Sequence, residues 1–429
     1  MVSPIVFWAR PRQPKHTRRG RSRGFARYIP HITLPEGTLS IEVRCSCGQV
    51  YHADPAHAGR SLRCRCGRAV LIPSSSPLPP QVEWTRTRRA PSPDRARLRA
   101  PAWLVRWLGP AAWGYFALAT IAAALIWTLG DVWWPATVLL YGPRWLLLLP
   151  AFPLAVVALL IRPRLLIPLA AALLITFGPV MGFRTGWRRW FGGGPPLALR
   201  VISFNVEGGI NPMLLQVPRS LERYGADVMV LQECPPRLAE PVLWPAGWTV
   251  KSIYGGLCLG TRFPVVETKV LARLEASRGG GTGDAALFRL RTDRGIIDVV
   301  ALHLETPRKG LAPLRREGSA DRLRVNTEIR DVGAGRISGW IQRETLNPVI
   351  VGDLNMPVES RIYRDAFGRC ANAFSRAGQG FGWTRVLNRF SVRIDHVLAC
   401  GSWRPLSAEV GPDLGSDHLP LIADLGIAR

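Results

Sequence analysis

The chain is 429 residues long, enough for two or three domains, and its formal net charge is +26. The charge is uneven: residues 1–110 hold 20 Lys and Arg against 5 Asp and Glu, whereas residues 197–429 hold 30 against 24. The basic surplus is mostly N-terminal, which excludes assigning a nucleic-acid-binding role to the whole chain from its charge alone.

Residues 1–40 read as a basic disordered tail. Arg18-Arg19-Gly20-Arg21-Ser22-Arg23 lies among prolines and suits a solvated tail, or contact with anionic lipid or nucleic acid. Ile5–Trp8 is too short for the apolar core of a secretory signal, and Arg10 breaks it. Residues 41–73 carry Cys45-Ser46-Cys47-Gly48 and, nineteen residues on, Cys64-Arg65-Cys66-Gly67. Four thiolates in two glycine-ended knuckles suit a tetrahedral Zn2+ site of Cys45, Cys47, Cys64 and Cys66, in a segment with little core of its own. Two disulfides are the alternative. The segment resembles a small zinc ribbon with Val43, Val50, Val70 and Ile72 as strand residues, although ribbons usually place two residues between paired cysteines and here there is one. His52 and His57 are further candidate ligands within the loop.

Residues 74–110 form a basic, Pro-rich linker. Residues 111–190 then hold three spans, Ala111–Gly130, Trp145–Ile161 and Leu165–Phe183, each able to cross a bilayer as a helix. Val132–Tyr141 is apolar but short, and is expected at the interface or as a preface to the second span. Trp103, Trp107, Trp133, Trp134, Trp145, Trp187 and Trp190 stand at the span ends, as an aromatic belt does. The missing polar faces argue against a soluble bundle. The expectation is an integral protein of a bacterial-type inner or plasma membrane, with the lipid bilayer as partner. The Arg-rich linker and the Arg162/Arg164 turn belong on the cytoplasmic side, and an odd number of spans then exports the C-terminal domain, although Arg184, Arg188 and Arg189 argue the other way. A cytoplasmic four-cysteine metal site agrees with export, since thiols there stay reduced. Pairing among Cys234, Cys258, Cys370 and Cys400 is left open.

Phe191–Pro196 reads as a hinge into residues 197–429, which are organised around Val349-Ile350-Val351-Gly352-Asp353-Leu354-Asn355-Met356. Its β-branched run between Pro348 and Pro357 reads as a buried strand. Side chains alternate along extended backbone, so Asp353 and Asn355 point the same way. The pattern recurs: Leu199–Glu207 delivers Asn205, Val228–Glu233 delivers Glu233, Ile296–Leu304 delivers His303, Ser391–Val397 delivers Asp395, and Gly415–Pro420 carries Asp417 and His418. Strand stability does not ask for this, since Asp, Asn and Glu are poor strand formers. Met213–Tyr224 and Arg315–Gln342 read as helical, the second with apolar spacing at Leu323, Ile329, Ile337 and Ile341, and Gly279–Gly283 reads as a hairpin loop.

In chain order, SFN at 203–205, LQE at 231–233, His303, GDLN at 352–355, RIDHV at 393–397 and SDH at 416–418 resemble the motifs of the endonuclease/exonuclease/phosphatase superfamily of metal-dependent phosphoesterases. Gly256–Pro264 is similar to that family's strand and SRFP turn, while Gly382-Trp383-Thr384-Arg385 stands where Thr-Trp-Pro is frequent. The resemblance implies an α/β four-layer sandwich of two packed mixed β-sheets flanked by helices, here preceded by the transmembrane region and the zinc-ribbon-like β segment. It implies that Glu233 and Asn205 hold a Mg2+ (or Mn2+) ion, with Asp417 and Glu207 near it; hard oxygen ligands suit that ion. It also implies that His418, oriented by Asp395, is the general base or contacts the phosphate, that Asp353 and Asn355 position the water and the phosphate, and that His303 assists the leaving group. Whether Asp353 or His418 takes the proton stays open.

The expected function is that of a membrane-anchored, Mg-dependent phosphoesterase, nuclease-like, cleaving phosphodiester or phosphomonoester bonds of nucleic acid. A phospholipid or inositol-phosphate hydrolase at the membrane surface is the second reading, motivated by the tether. A non-catalytic membrane scaffold is the third, and the intact set Glu233, Asp353, Asn355, Asp395, Asp417 and His418 counts against it. No residues identify a protein partner.

Overall fold

The computed structural model describes residues 40–74, 100–187 and 194–428, except 210, 254, 276–280, 313–318 and 388–389. The basic tail, most of the linker, the first half of the glycine hinge, Arg188, Arg189 and Trp190, part of the 279–283 loop and the start of the 315–342 helix lie outside the described residues. The chain divides into two compact units, one up to Ala96 and one from Arg97.

In the first unit Ile41–Arg44 pairs with Val50–Ala53, and Ser61–Arg63 with Ala69–Leu71. Both hairpins turn through the cysteine knuckles with matching hydrogen bonds: Gly48 N–H to Cys45 O, and Gly67 N–H to Cys64 O. Gly48 and Gly67 have φ of +89° and +85°, a region that glycine enters without a Cβ clash. Val43, Ile72, Cys45 and Cys64 are buried, whereas Val50 faces out.

The second unit opens with helix α1 (Ala102–Leu129), α2 (Trp134–Tyr141), α3 (Ala151–Ile161) and α4 (Leu166–Ile175). Among the described residues, three helical stretches are long and apolar enough to cross a membrane: Ala102–Leu129, Arg144–Ile161 and Pro163–Val180. The first starts at Ala102 rather than Ala111, because the apolar run already includes Trp103–Leu108 and the helix continues through Pro110. A proline inside a membrane helix is tolerated where neighbours satisfy the freed carbonyl. α2 packs one face into the protein, with Ala136 and Leu140 fully buried, while Trp133 and Trp134 at its start stay exposed.

Residues from Leu197 onward form two six-stranded sheets. Their strands in chain order are β1 (Leu197–Asn205), β2 (Val228–Gln232), β3 (Thr249–Ile253), β4 (Leu257–Thr261), β5 (Val265–Leu271), β6 (Asp284–Thr292), β7 (Gly295–His303), β8 (Pro348–Asp353), β9 (Ala371–Asn372), β10 (Asp395–Ala399), β11 (Trp403–Val410) and β12 (Leu421–Ile427). One sheet has the order β11-β12-β1-β2-β4-β3, the other β5-β6-β7-β8-β10-β9. Each contains one parallel pair, β1 with β2 and β7 with β8; the other pairs are antiparallel.

Alternation along these strands builds the interior. Leu199 and Val201 of β1, Val228 and Val230 of β2, Val299 and Ala301 of β7, and Val349 and Val351 of β8 meet in one core between the sheets. Their outward neighbours Ile202 and Phe204 pack with Val217 and Leu221 of the Val217–Glu222 helix. On the other sheet, Val300, Leu302 and Ile350 pack with Ile337 and Ile341 of the helix Ser319–Glu344. This is a four-layer sandwich. The second outer layer is shared with the N-terminal apolar helical region, whose Ile126, Leu140, Tyr141, Val180 and Met181 belong to the same cluster. Two ion pairs reinforce the contact, Asp131 with Arg330 at 3.1 Å and Arg144 with Glu359 at 3.3 Å.

Candidate functional site

The same alternation that fills the core delivers the polar residues. Asn205 continues the inward row Leu199, Val201, Ser203; His303 follows Val299 and Ala301; Asp353 follows Val349 and Val351. These are the ends of parallel partners, while Asp395 begins an antiparallel strand beside β8 and the Asp417–His418 turn precedes β12 beside β1. An antiparallel start and a parallel end share an edge, so all of them reach one mouth between the sheets. The register records it: His303 pairs with Asp353, Asp353 with Asp395, and Asn205 with Gln232.

Local geometry then aims each group. Among the described residues, the non-glycine positions with positive φ are Asp131, Glu207, Glu233 and Asn355, three of them at this mouth. Such backbone costs roughly 1 kcal/mol or more for an L-residue and persists where surrounding structure fixes it. At Glu233 the strand breaks, the carboxylate turns toward the mouth, and a Cys234–Cys258 disulfide ties the turn to β4. A Cβ at Gly352 would lie 1.9 Å from Leu302 O, so only glycine lets β8 lie this close to β7 immediately before Asp353. Ser416 Oγ donates to Asn205 O at 2.8 Å, anchoring the Asp417–His418 turn to the end of β1.

At the centre, His418 Nδ1 lies 2.8 Å from Asp395 Oδ2, both side chains fully withdrawn from solvent. His418 Nε2 is 3.8 Å from Asp353 Oδ2 and 3.7 Å from Asp417 Oδ1. Burial opposes charge on His418, but the Asp395 and Asp353 carboxylates outweigh it and hold its pKa up to about 9. Burial likewise opposes ionisation of Asp395, and the facing imidazole overrides it, leaving its pKa below the usual value. Burial and the Asp395 charge push Asp353 up to about 6.

Asn205 Nδ2 donates to Glu233 Oε1 at 3.2 Å and to Asp353 Oδ2 at 3.1 Å, and His303 Nε2 is 3.8 Å from each of those oxygens. Asn205 Oδ1 accepts from Glu207 N–H, and Glu207 Oε2 accepts from Asp417 N–H. Asn355 turns inward, its Nδ2 donating to Leu304 O and its N–H to Asp353 Oδ1. Every expected residue therefore lies at the one mouth. The tightest group is Asp353, Asp395 and His418, with one ligand atom from each lying within 4.8 Å of the others. Among the described residues, the expected ion ligands Glu233 and Asp417 lie outside that group and are linked to it by Asn205 and by the approach of Asp417 to His418.

Arg385 escaped sequence reasoning. Its Nη1 lies 2.7 Å from His418 Nε2, and its Nη2 bonds Asp417. A guanidinium only donates, so this contact needs a free lone pair on Nε2, and the two carboxylates that raise the His418 pKa work against it. The signal was Gly382-Trp383-Thr384-Arg385, the stretch that departs from the family's usual residues. Thr384 Oγ1 also accepts from Asp395 N–H, and Thr384 O accepts from Leu419 N–H.

In the first unit, Cys45, Cys47, Cys64 and Cys66 bring their sulfurs within 4.8 Å of one another, and none is in a disulfide. Cys45 and Cys66 Sγ are 3.7 Å apart, Cys47 and Cys64 Sγ 3.4 Å. A tetrahedron with metal–sulfur bonds of about 2.3 Å has edges of about 3.8 Å. The Cys66 N–H and the Tyr51 hydroxyl lower the Cys64 thiol to about 6. His52 and His57 are not part of this group.

A model of the Endonuclease/Exonuclease/phosphatase family matches residues 202–418. No curated protein matches the chain. Similar solved structures include an endonuclease/exonuclease/phosphatase family protein from Bacteroides thetaiotaomicron, 16% identical, covering 55% of this chain and 100% of that one with a TM-score of 0.43. The human Nocturnin catalytic domain with bound sulfate is also 16% identical and covers 55% and 100%, TM-score 0.41. Sphingomyelinase C from Streptomyces griseocarneus is 17% identical and covers 53% and 99%, TM-score 0.38. The family model takes in half of the chain, from within β1 to His418, and the chain belongs to the Endonuclease/Exonuclease/phosphatase family of metal-dependent phosphoester hydrolases.

Proposed function

We propose that the chain is a membrane-anchored phosphoester hydrolase working with a divalent ion such as Mg2+ or Mn2+. The observation that carries this is the buried Asp395–His418 pair facing Asp353 at the mouth that Asn205 and Glu233 share.

The donor set fits a hard divalent ion: carboxylate and carboxamide oxygens, and no thiol. Asn205 Nδ2 bridges two acidic side chains, Glu233 and Asp353, in the position where a cation would relieve their repulsion. Glu233 and Asn205 would hold the ion, with Asp417 and Glu207 beside it. When bound, such an ion neutralises charge on the phosphoryl oxygens. The chain's own residues supply the rest. Asp395 fixes the His418 ring through Nδ1 and leaves Nε2 toward the mouth. Asp353 Oδ2 and His418 Nε2 are close enough to bond the same water, whose proton goes to Asp353, or to His418 in its neutral form only. Asn355 positions Asp353 through its backbone N–H, Arg385 offers positive charge to phosphate oxygens, and His303, 3.8 Å from Asp353 Oδ2, is available to the leaving oxygen.

The four-cysteine group fits zinc. With the catalytic domain outside the cytoplasm and the thiols inside, an odd number of spans separates them. Disulfides Cys234–Cys258 and Cys370–Cys400 support that side for the domain, since such bonds persist in oxidising compartments.

The test is hydrolysis of nitrophenyl phosphodiester and phosphomonoester by the full chain in detergent, with Mg2+ or Mn2+ against chelator. Glu233→Gln and His418→Ala are each expected to lower turnover by at least about a hundredfold while the fold is kept. Turnover that survives the chelator and both variants overturns the reading.

A further inference from the structure

Three observations concern the space beside the mouth rather than the mouth itself. A cavity of about 290 Å³ has Asn355 and Arg385 at its polar end and Leu311, Val392, Ile394 and Tyr141 among its apolar lining. Tyr141 closes α2, the short helix between the first and second candidate spans, so the cavity runs from the candidate catalytic groups to the helical region. Next to Thr384 and Arg385, Trp383 stacks on Phe381 at 4.5 Å, and Phe381 meets Phe177 at 6.2 Å and Phe183 at 5.2 Å. Phe177 and Phe183 flank the end of the third span and are 38% and 39% exposed, an aromatic shelf of the kind found at the bilayer surface. Finally, the domain does not hang on a tether: Asp131–Arg330 and Arg144–Glu359 lock it to the helix ends, so the mouth keeps one height over the membrane.

We infer that the substrate is a lipid phosphoester of the surrounding bilayer, its phosphate at Asn355 and Arg385 and its hydrocarbon in the cavity against Leu311, Val392 and Ile394. A nucleic acid needs a basic, solvent-facing track with aromatic stacking platforms for its bases. This cavity is mostly apolar apart from Thr306, Arg308, Asn355 and Arg385, and one wall comes from the helical region before the domain. It holds only a few methylenes, which suits the first part of a chain whose remainder stays in the bilayer. The inference rests on the phosphoesterase reading, and the experiment separates the two.

Full-length protein in detergent is offered nitrophenyl alkyl phosphodiesters with alkyl groups of one to eight carbons, and a single-stranded oligonucleotide. Each methylene entering the cavity raises kcat/KM about three- to fourfold, so the series spans at least roughly tenfold. Ala312→Trp, which fills the cavity from its rim, flattens the series and leaves the methyl ester within about twofold. Octyl phosphonate, a non-hydrolysable probe, raises Tm more than methyl phosphonate does, and the variant loses the difference. Hydrolysis with no dependence on chain length, or faster cleavage of the oligonucleotide than of any alkyl ester, overturns the lipid assignment and leaves the phosphoesterase reading standing. Failure to hydrolyse any probe, together with equal Tm shifts for the two phosphonates, overturns both.

Discussion

Asp353 and Asp395 are direct partners across adjacent antiparallel strands, and both carboxylates are essentially withdrawn from solvent. Two buried acids side by side are unfavourable unless something else carries positive charge, and His418 stands against both. Removing the negative charge that orients the imidazole is therefore expected to disable it. Asp395→Asn should lower kcat by roughly 10²- to 10⁴-fold with little change in KM. His418→Ala should fall in the same range, and the double variant should be no worse than the more damaging single one, since the two act as a unit. Single-variant losses that multiply in the double would sink the unit.

How much of this was legible beforehand follows from where each residue gets its meaning. Asn205, His303 and Asp353 were readable because each ends an apolar, alternating run, and alternation alone fixes which way they face. Their arrival at one edge was implied by the family resemblance; the physical cause, parallel ends beside antiparallel starts, needed the pairing. Arg385 was not readable, since its role depends on the 385–387 strand lying against Asp417 and His418. Arg330 was missed for a related reason. The helical spacing put Ile329 on the buried face, yet Ile329 is half-buried and Arg330 fully buried. A charge is tolerated there because Asp131 arrives from the loop after α1, 199 residues away in sequence.

That pair makes its own prediction. Arg330 bonds Asp131 at 3.1 Å and also the Tyr141 hydroxyl, with its side chain and that of Asp131 all but inaccessible. Breaking a buried ion pair from one side leaves an uncompensated charge and costs about 3–5 kcal/mol. Asp131→Asn keeps the left-handed backbone that Asn tolerates and isolates the charge. It is expected to lower Tm by roughly 10 °C, and Asp131→Asn with Arg330→Met by less than the sum of the two singles. Additive losses in thermal scans of the full chain would show that the two side chains do not depend on each other. By the same argument, a fragment starting at residue 197 leaves Arg330 and the Ile337 patch uncovered and should unfold well below the full chain.

His396 is expected to make the fold sensitive to acid. Its ring is fully buried, with Nδ1 2.9 Å from Asn372 Nδ2 and Nε2 2.9 Å from Met356 O. Burial, aided by the nearby Arg393 charge, lowers its pKa to about 3. Because the folded value lies below the unfolded one, near 6.5, the unfolded chain takes up a proton first as the pH falls. The folded state's advantage is complete above about pH 6.5 and drains away between there and about pH 3, by about 1.4 kcal/mol per pH unit. His396→Gln should be less stable at neutral pH but should lose stability more slowly below pH 6. Parallel pH profiles of Tm for the two proteins would rule out His396 as the source.

The cysteines of the two units should behave oppositely, and that difference reports the orientation of the chain. Cys47 and Cys66 are exposed free thiols in a group with metal spacing, whereas Cys234, Cys258, Cys370 and Cys400 are paired. The full chain is expected to carry one zinc by elemental analysis, and Cys64→Ser should lose it while hydrolysis stays within about twofold, since the four-cysteine segment and the catalytic domain are separate compact units. A membrane-impermeant maleimide should label Cys47 and Cys66 only after cells are permeabilised and the metal is chelated. Labelling of those two thiols in intact cells would put the four-cysteine segment outside, and with three spans between, the catalytic mouth would then face the cytoplasm. Its two disulfides would have to survive there against the thiol pool. The labelling pattern and the redox state of Cys234–Cys258 therefore have to agree, and a mismatch between them would overturn the three-span topology itself.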